Sequence, residues 1–187
     1  MLKYCQLGKN IKCIGDVAFH NCLSLTSIDI PNSVSSIGNY ALSSCTSLSA
    51  IDIPVSVSSI GYGAFSFCTY LTSVNIPNSV TSIEFDLFYY CSSLISINIP
   101  NSVTSIGYRA FYGCSSLTSI NIPSSVYSIG DWAFDGCNSL TSVIFEGRTM
   151  TDITSMVGYP WGIKDTSIIK DDINDCCGYQ DCCGYQA

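Results

Sequence analysis

Residues 25–47 read LTSIDIPNSVSSIGNYALSSCTS, and variants of this 23-residue run follow one another over most of the chain. The cysteine of the run recurs at the same interval, at Cys22, Cys45, Cys68, Cys91, Cys114 and Cys137. The leucine does likewise, at Leu25, Leu48, Leu71, Leu94, Leu117 and Leu140. Self-similarity at a fixed period indicates a repeat architecture, so secondary structure is assigned repeat by repeat.

The first part of each repeat predicts a β-strand. Leu25, Ile28 and Ile30 end in the alternation that suits a strand with one buried face. Pro31 has no N–H to donate to a strand ladder, so we expect the strand to end there and the chain to turn.

Two further sides complete the predicted coil. Val34 and Ile37 indicate a second extended segment, and Gly38 is expected to provide a backbone angle that a β-carbon would penalise. In most repeats an Ala-Phe pair then precedes the cysteine by three residues, as Phe65 precedes Cys68. That spacing is typical of one short helical or 3-10 turn.

A single coil cannot be stable by itself. It buries about six large apolar side chains worth roughly 1.5–3 kcal/mol each, whereas ordering the backbone costs about 1–2 kcal/mol for every residue. Coils must therefore stack and share one core. The sequence predicts a β-rich repeat solenoid with a parallel sheet on one side, a second short extended side, and short helical or 3-10 turns on the third.

We divide the chain into three parts. Residues 1–145 form the array of about six and a half coils, residues 146–169 form a C-terminal cap, and residues 170–187 form a flexible tail that contains four cysteines. The repeat phase begins at residue 2, so the first strand should have an open edge that can pair with another chain. The chain is then either the end piece of a longer protein or a self-contained chain with an assembly surface.

The cap is expected to close the end of the shared core. Thr151 or Asp152 should begin a short helix that runs to about Val157, and residues 165–169 should add a final strand. The last coil should be covered by Tyr159, Pro160, Trp161 and Ile163.

Composition excludes several classes of function. Only 11% of residues are charged, and 14 acidic against 7 basic residues give a formal charge of −7. Nucleic-acid binding normally requires a basic stripe that displaces counterions, which seven scattered bases cannot form. No apolar run is long enough to predict a membrane span, and the first residues, MLKYCQLGKNIK, lack the apolar segment of a secretory signal.

The consensus LTSIxIPNSVTSIGxxAFxxCSS closely resembles the BspA-type leucine-rich repeats, which occur in surface and secreted proteins of bacteria and some protists. The resemblance covers residues 2–145 and depends on positions such as Pro77, Asn78, Val80, Ile83, Phe88 and Cys91. It implies a leucine-rich repeat solenoid, a role in adhesion or protein binding, and a location at the cell surface or outside the cell. Glu84 departs from the pattern, because other repeats have glycine at this corner.

The cysteines of the repeats admit three interpretations. Equivalent residues of stacked coils lie about 4.8 Å apart, within reach of a disulfide, and thiolates can also hold a soft metal. Free cysteine is one of the most buried residue types, so we interpret the ladder as reduced core residues. The tail residues could in principle hold zinc or copper(I), but without C-x-x-C pairs we assign no metal site to Cys176, Cys177, Cys182 and Cys183.

Catalytic residues are scarce. His20 is the only histidine and occupies a variable position, so a hydrolytic triad has weak support. Asp29 and Asp52 resemble a carboxylate pair, but the same column continues as a polar ladder with Asn75, Asn98 and Asn121. We therefore predict that the protein is not an enzyme and uses no cofactor.

Variation between repeats clusters around the Ala-Phe pair, whereas the strand segment is monotonous. Aromatic residues with a few charges are what protein interfaces favour. The candidate partner-binding residues are Tyr40, Tyr62, Phe67, Tyr89, Tyr90, Tyr108, Arg109, Tyr112 and Trp132. The alternative is that these rings only cover the convex side of the core.

Two functional hypotheses follow. The first is a non-catalytic binding or adhesion module of a surface protein, whose partner is a protein or a surface glycan. The second is a structural element that self-associates through its open first strand, giving a homo-oligomer or part of a larger assembly.

Overall fold

The computed structural model describes residues 2–172 and has the architecture of a repeat solenoid with parallel strands. Each coil places one strand on the first side of the solenoid. These strands are β1 (Tyr4–Gln6), β3 (Ser27–Asp29), β5 (Ala50–Asp52), β7 (Ser73–Asn75), β9 (Ser96–Asn98), β11 (Ser119–Ile122) and β13 (Ser142–Phe145). Shorter strands form the second side: β2 (Cys13–Ile14), β4 (Ser36–Ile37), β6 (Ser59–Ile60), β8 (Ser82–Ile83), β10 (Ser105–Ile106) and β12 (Ser128–Ile129).

All pairings are parallel and join residues 23 positions apart within the repeats, so that Tyr4 pairs with Ser27 and Ser36 with Ser59. On the first side β1 pairs with β3, β7 pairs with both β5 and β9, and β11 pairs with β13. The middle residue of the three-residue strands, such as Ile51, points into the core while its neighbours face solvent. The alternation predicted from the sequence is confirmed.

Identical residues form continuous ladders in the core. Phe65, Phe88, Phe111 and Phe134 stack with successive ring centroids 5.6, 5.5 and 5.6 Å apart. The repeat cysteines lie beside them, and Cys45, Cys68, Cys91 and Cys114 have no solvent exposure. The core is therefore shared along the whole stack, as the weak stability of a single coil requires.

The third side consists of linked turns. In the first coil the N–H of Ala18 donates to Gly15 and that of His20 donates to Val17, three residues back. The intervening N–H groups donate to the following coil, for example from Phe19 to Ala41 at 2.7 Å. Two residues per turn have positive φ, which keeps this segment from becoming a regular 3-10 helix.

The sequence predicted that Gly38 provides an unusual backbone angle, and this prediction is wrong. Gly38 is not among the residues with positive φ. A β-carbon on it would lie 2.6 Å from the backbone nitrogen of Asp16 in the preceding coil. Glycine is needed here because the coils approach each other closely.

Glu84, which replaces this glycine, still permits the corner to form, and the N–H of Leu87 donates to its carbonyl at 3.2 Å. The second side is divided at this coil into the ladders β2–β4–β6 and β8–β10–β12. A residue with a β-carbon cannot approach the preceding coil as closely as glycine does, which accounts for an interruption at this position.

Two expectations for the cap are corrected. The helix α1 spans Met150–Ser155 and is capped by Thr149, rather than by Thr151 or Asp152. Asp152 instead completes a capping box, in which its carboxylate accepts from the N–H of Thr149.

The final strand also lies later than expected. Asp165 caps a 3-10 helix over Thr166–Ile168, and strand β14 (Ile169–Asp171) then pairs with β13. Trp161 is almost fully buried, with its ring 5.4 Å from that of Phe145, as expected for a residue that covers the last coil. The tail beyond residue 172, including its cysteines, lies outside the described residues.

Candidate partner-binding face

The repeat cysteines are thiols that pack against backbone. The Sγ of Cys68 donates to the carbonyl of Leu42 in the preceding coil at 3.3 Å. Each of the other repeat cysteines from Cys45 to Cys137 donates in the same way to the carbonyl 26 residues before it. Burial raises the pKa of Cys45 and of Cys137 to about 12. These groups stay protonated at neutral pH, which suits core residues and not nucleophiles or metal ligands.

Candidates for other chemistry are dispersed. His20 is exposed, and the carboxylate of Asp29 accepts a hydrogen bond from the hydroxyl of Tyr4 at 2.5 Å. Within residues 2–172 no three side chains of His, Cys, Asp or Glu are grouped so that they could hold a metal ion. In the same part of the chain no helix has the length and apolar character to span a bilayer.

The turn side has two columns of left-handed residues, each repeated at 23-residue intervals. The first column contains Val17, Tyr40, Gly63, Asp86, Arg109 and Trp132. The second contains Asn21, Ser44, Phe67, Tyr90, Gly113 and Gly136. Left-handed φ costs a residue with a β-carbon roughly 1–2 kcal/mol and costs glycine almost nothing.

One row of aromatic rings crosses five consecutive coils. Its ring centroids lie 5.3, 6.2, 5.6 and 5.5 Å apart in the order Tyr40, Tyr62, Phe85, Tyr108 and Trp132. Tyr40 extends over the backbone of Gly63, whose missing side chain makes room for the ring. The row is therefore continuous, although the coil that contains Gly63 has no side chain in the first left-handed column.

A second row is shorter and denser. The rings of Phe67 and Tyr90 are parallel, at 1° and 5.5 Å, and those of Tyr89 and Tyr112 stack at 5.2 Å. Tyr89 contacts Tyr90 edge to face at 4.7 Å. The second row therefore forms one cluster of four rings.

Arg109 joins the two rows. Its guanidinium carbon lies 4.7 Å from the ring centroid of Tyr108, 5.1 Å from that of Trp132 and 5.7 Å from that of Tyr112. All nine candidate residues thus belong to one contiguous surface, which also includes Phe85. We call these ten residues the aromatic face. The set selected from the sequence did not include Phe85, although the column of Tyr62 and Tyr108 passes through it.

The rings of the aromatic face remain accessible. Tyr62 and Phe67 are each 43% exposed and Trp132 is 47% exposed. Phe65, two residues from Phe67 in the same turn, is fully buried. Inward and outward aromatic residues therefore alternate along one turn, and only the inward set forms the core.

Charged groups of the aromatic face are few. Burial raises the pKa of Asp86, while the charge of nearby Arg109 opposes the rise. Burial and then Asp86 raise the pKa of Tyr40, and Tyr90 and Asp135 raise that of Tyr112. The two phenols therefore stay protonated at neutral pH and can donate hydrogen bonds to a partner.

Stacked strands, inward leucine and isoleucine ladders and a turn side in every coil define a leucine-rich repeat solenoid. The model of the BspA type leucine rich repeat region matches residues 1–107 and 81–159, and the chain belongs to this family. A comparison with curated proteins finds no match. Leucine-rich repeats generally act as non-catalytic scaffolds for protein interaction.

Three solved structures illustrate the likeness. A leucine-rich repeat protein of T. pallidum has 28% identity and a TM-score of 0.74, with 95% of this chain and 84% of that chain covered. A leucine rich cell surface protein of Faecalibacterium prausnitzii has 33% identity and a TM-score of 0.59, covering 77% and 48%. A leucine-rich repeat protein of Bacteroides ovatus has 28% identity and a TM-score of 0.58, covering 91% and 54%. The chain thus spans about half of the latter two.

Proposed function

We propose that this protein is a non-catalytic binding module that captures a protein partner on its aromatic face. The observation that carries the proposal is the backbone conformation of Tyr40, Phe67, Tyr90, Arg109 and Trp132, all of which are left-handed. Equivalent coils form the same turn with Gly63, Gly113 or Gly136. The turn does not require large side chains at these strained positions, and strained residues of this kind are concentrated at functional sites.

The composition of the face supports the same conclusion. Tyrosine, tryptophan and arginine dominate the binding energy of protein interfaces, because they bury a large area with few rotatable bonds. The two rows provide nine tyrosine, phenylalanine or tryptophan rings, and three of these rings surround the single arginine of the face.

The orientation of the rings favours a protein over a surface glycan. A sugar ring stacks on an exposed aromatic face. Here Phe67 stacks on Tyr90, Tyr89 on Tyr112 and Phe85 on Tyr108, so at least one face of each of these six rings is covered by a ring of a neighbouring coil. Ring edges and phenol hydroxyls are left for the partner, and edges suit T-shaped contacts with aromatic side chains.

We place this module at the cell surface. The solved structure from Faecalibacterium prausnitzii, 33% identical, is that of a cell surface protein. The many uncharged Ser, Thr and Asn residues outside the aromatic face are compatible with display, and the binding function does not depend on this location.

The proposal is tested by selecting peptides from a displayed random library on the native chain. Each selected peptide is then measured on the triple variant Phe67→Gly, Tyr90→Gly, Trp132→Gly. We expect binding to fall at least tenfold in the variant. The matched control is Asn75→Ala with Asn98→Ala on the sheet side, which should bind normally. Peptides that bind the triple variant as well as the native chain, or that are lost only in the control, would refute the aromatic face as the site.

A second candidate is assembly through the first coil. Within the described residues β1 pairs only with β3, and Leu2 and Tyr4 are 47% and 49% exposed. An open strand edge of this kind can pair with another chain. Light scattering over a range of concentrations distinguishes the two functions, because a mass that stays monomeric rules out self-association through this edge.

A further inference from the structure

The side chain of Arg109 is held in place without a carboxylate of its own. Three rings lie within 4.7–5.7 Å of its guanidinium carbon. Its Nε atom is buried and has no hydrogen-bond partner within the described residues. Asp86 is near enough for its pKa to respond to the arginine, but in residues 2–172 Arg109 makes no ion pair.

The other arginine of the chain is different. Arg148 donates from Nη2 to the carbonyl of Ser124 at 3.0 Å and also to the carbonyl of Val126. These contacts tie the side chain to the corners of the preceding coil, where it has a structural role. The Nε atoms of both arginines are buried without a hydrogen-bond partner. The two residues differ at their terminal amino groups, since Arg148 uses Nη2 in two hydrogen bonds, whereas neither Nη group of Arg109 is hydrogen-bonded within residues 2–172.

We propose that Arg109 is a receptor for a carboxylate of the partner protein, carried by an Asp or Glu side chain that docks between the two aromatic rows. The inference rests on the proposed protein-binding function of the aromatic face. A guanidinium presents its N–H groups in a planar fork that matches the two oxygens of a carboxylate. The surrounding rings fix the orientation of this fork before binding and exclude water, which strengthens the charge interaction.

The neighbourhood of Arg109 favours a carboxylate over a doubly charged anion. Asp86 and Asp135 are acidic residues close to Arg109 and Tyr112 respectively. They reduce the positive potential and repel a phosphate or sulfate more strongly than a single negative charge. The apolar ring edges in addition suit an acidic residue that is flanked by aromatic side chains.

The test uses the arginine Nε–H signals of the labelled full chain, of which there are two because the chain has two arginines. The probes are the peptides acetyl-Phe-Glu-Tyr-amide and acetyl-Phe-Gln-Tyr-amide. We expect the glutamate peptide to shift the Arg109 signal and leave the Arg148 signal unchanged, and to bind about tenfold more tightly than the glutamine peptide. Arg109→Gln should remove this preference, and Arg109→Lys should restore only part of it.

Other outcomes separate the two proposals. Equal shifts with both peptides, or shifts of the ring signals without a shift of Arg109, would overturn the receptor role while leaving protein binding by the aromatic face intact. No shift of Arg109 with either peptide also overturns it. A shift with N-acetylneuraminic acid but with neither peptide would assign the site to an acidic glycan and contradict the protein source.

Discussion

At the scale of single residues, the repeat cysteines illustrate how one residue type serves packing alone. Each Sγ fits against a carbonyl of the preceding coil, and burial raises the pKa of Cys68, Cys91 and Cys114 well above the ordinary range. A ladder that looks like a disulfide or metal track in the sequence is in the structure a column of protonated thiols.

Alkylation tests this assignment. With iodoacetamide at mildly alkaline pH, exposed Cys13 should be modified in the native protein, while Cys68, Cys91 and Cys114 should react only after denaturation. Mass spectrometry of the digested protein gives the site of each modification. Modification of Cys91 at the rate of Cys13 would show that the core is open.

Substitution by glycine separates the inward and outward aromatic residues. Phe67→Gly relieves a left-handed strain of roughly 1–2 kcal/mol but loses two ring contacts of about 0.5–1.5 kcal/mol each, so the free energy of unfolding should fall by at most about 2 kcal/mol. Phe65→Ala, in the same turn, should lower the free energy of unfolding by about 3–5 kcal/mol. Urea unfolding measures both, and equal losses would mean that Phe67 is part of the core.

At the scale of elements, the close approach of coils explains the corner glycines. A β-carbon on Gly130 would lie 2.4 Å from the backbone nitrogen of Tyr108, whereas one on Gly15 would meet nothing within 4 Å. Gly130→Ala should therefore lower stability by about 1–3 kcal/mol, and Gly15→Ala should leave it nearly unchanged. Thermal unfolding of the two variants provides the comparison, and an unchanged Gly130→Ala protein would refute the steric explanation.

The cap helix gives a second comparison between neighbouring positions. Thr149→Ala removes the N-cap and should cost about 0.5–2 kcal/mol, while Thr151→Ala should have little effect. Hydrogen bonds from Thr149 lower the pKa of Asp152, so the stabilisation by Asp152 is present above the pKa of an unfolded Asp and is lost as the pH falls through the lowered value. Urea unfolding of the native chain and of both variants at neutral and acidic pH measures these differences in stability. A loss of stability in Thr151→Ala but not in Thr149→Ala would contradict the capping box.

The sequence predicts the repeat strands correctly but not the start of the cap helix or of the last strand. The alternation from Leu25 to Ile30 predicts the strands correctly because a 23-residue repeat leaves no freedom of register. The cap lacks such repetition, and the sequence prediction of Thr151 or Asp152 puts the N-cap two or three residues after its position at Thr149. The Thr149-x-x-Asp152 pattern is the signal that identifies the N-cap. Asp165 likewise marks the start of a 3-10 helix, which delays the last strand.

At the scale of the whole molecule, the sequence located the aromatic face but not the feature that makes it informative. Variable outward positions could be recognised because packing fixes the inward ones. The left-handed columns could not, because aromatic residues give no sign of positive φ. The one available signal was that Gly63, Gly113 and Gly136 share columns with Tyr40, Phe67 and Tyr90.

The solenoid thus has an inward and an outward set of aromatic side chains. The inward phenylalanines stabilise the stack, whereas the outward rings reach solvent. Among the outward rings, Tyr40, Phe67, Tyr90 and Trp132 occupy left-handed positions. If the outward rings bind a partner, their removal should affect affinity and leave stability almost unchanged. If they only cover the core, both should fall together.

The most direct measurement compares the urea unfolding midpoint and the peptide affinity of the native chain with those of the triple variant Phe67→Gly, Tyr90→Gly, Trp132→Gly. We expect a similar midpoint and an affinity lowered at least tenfold. An unchanged affinity, or a collapse of the midpoint in proportion to the loss of binding, would contradict this expectation.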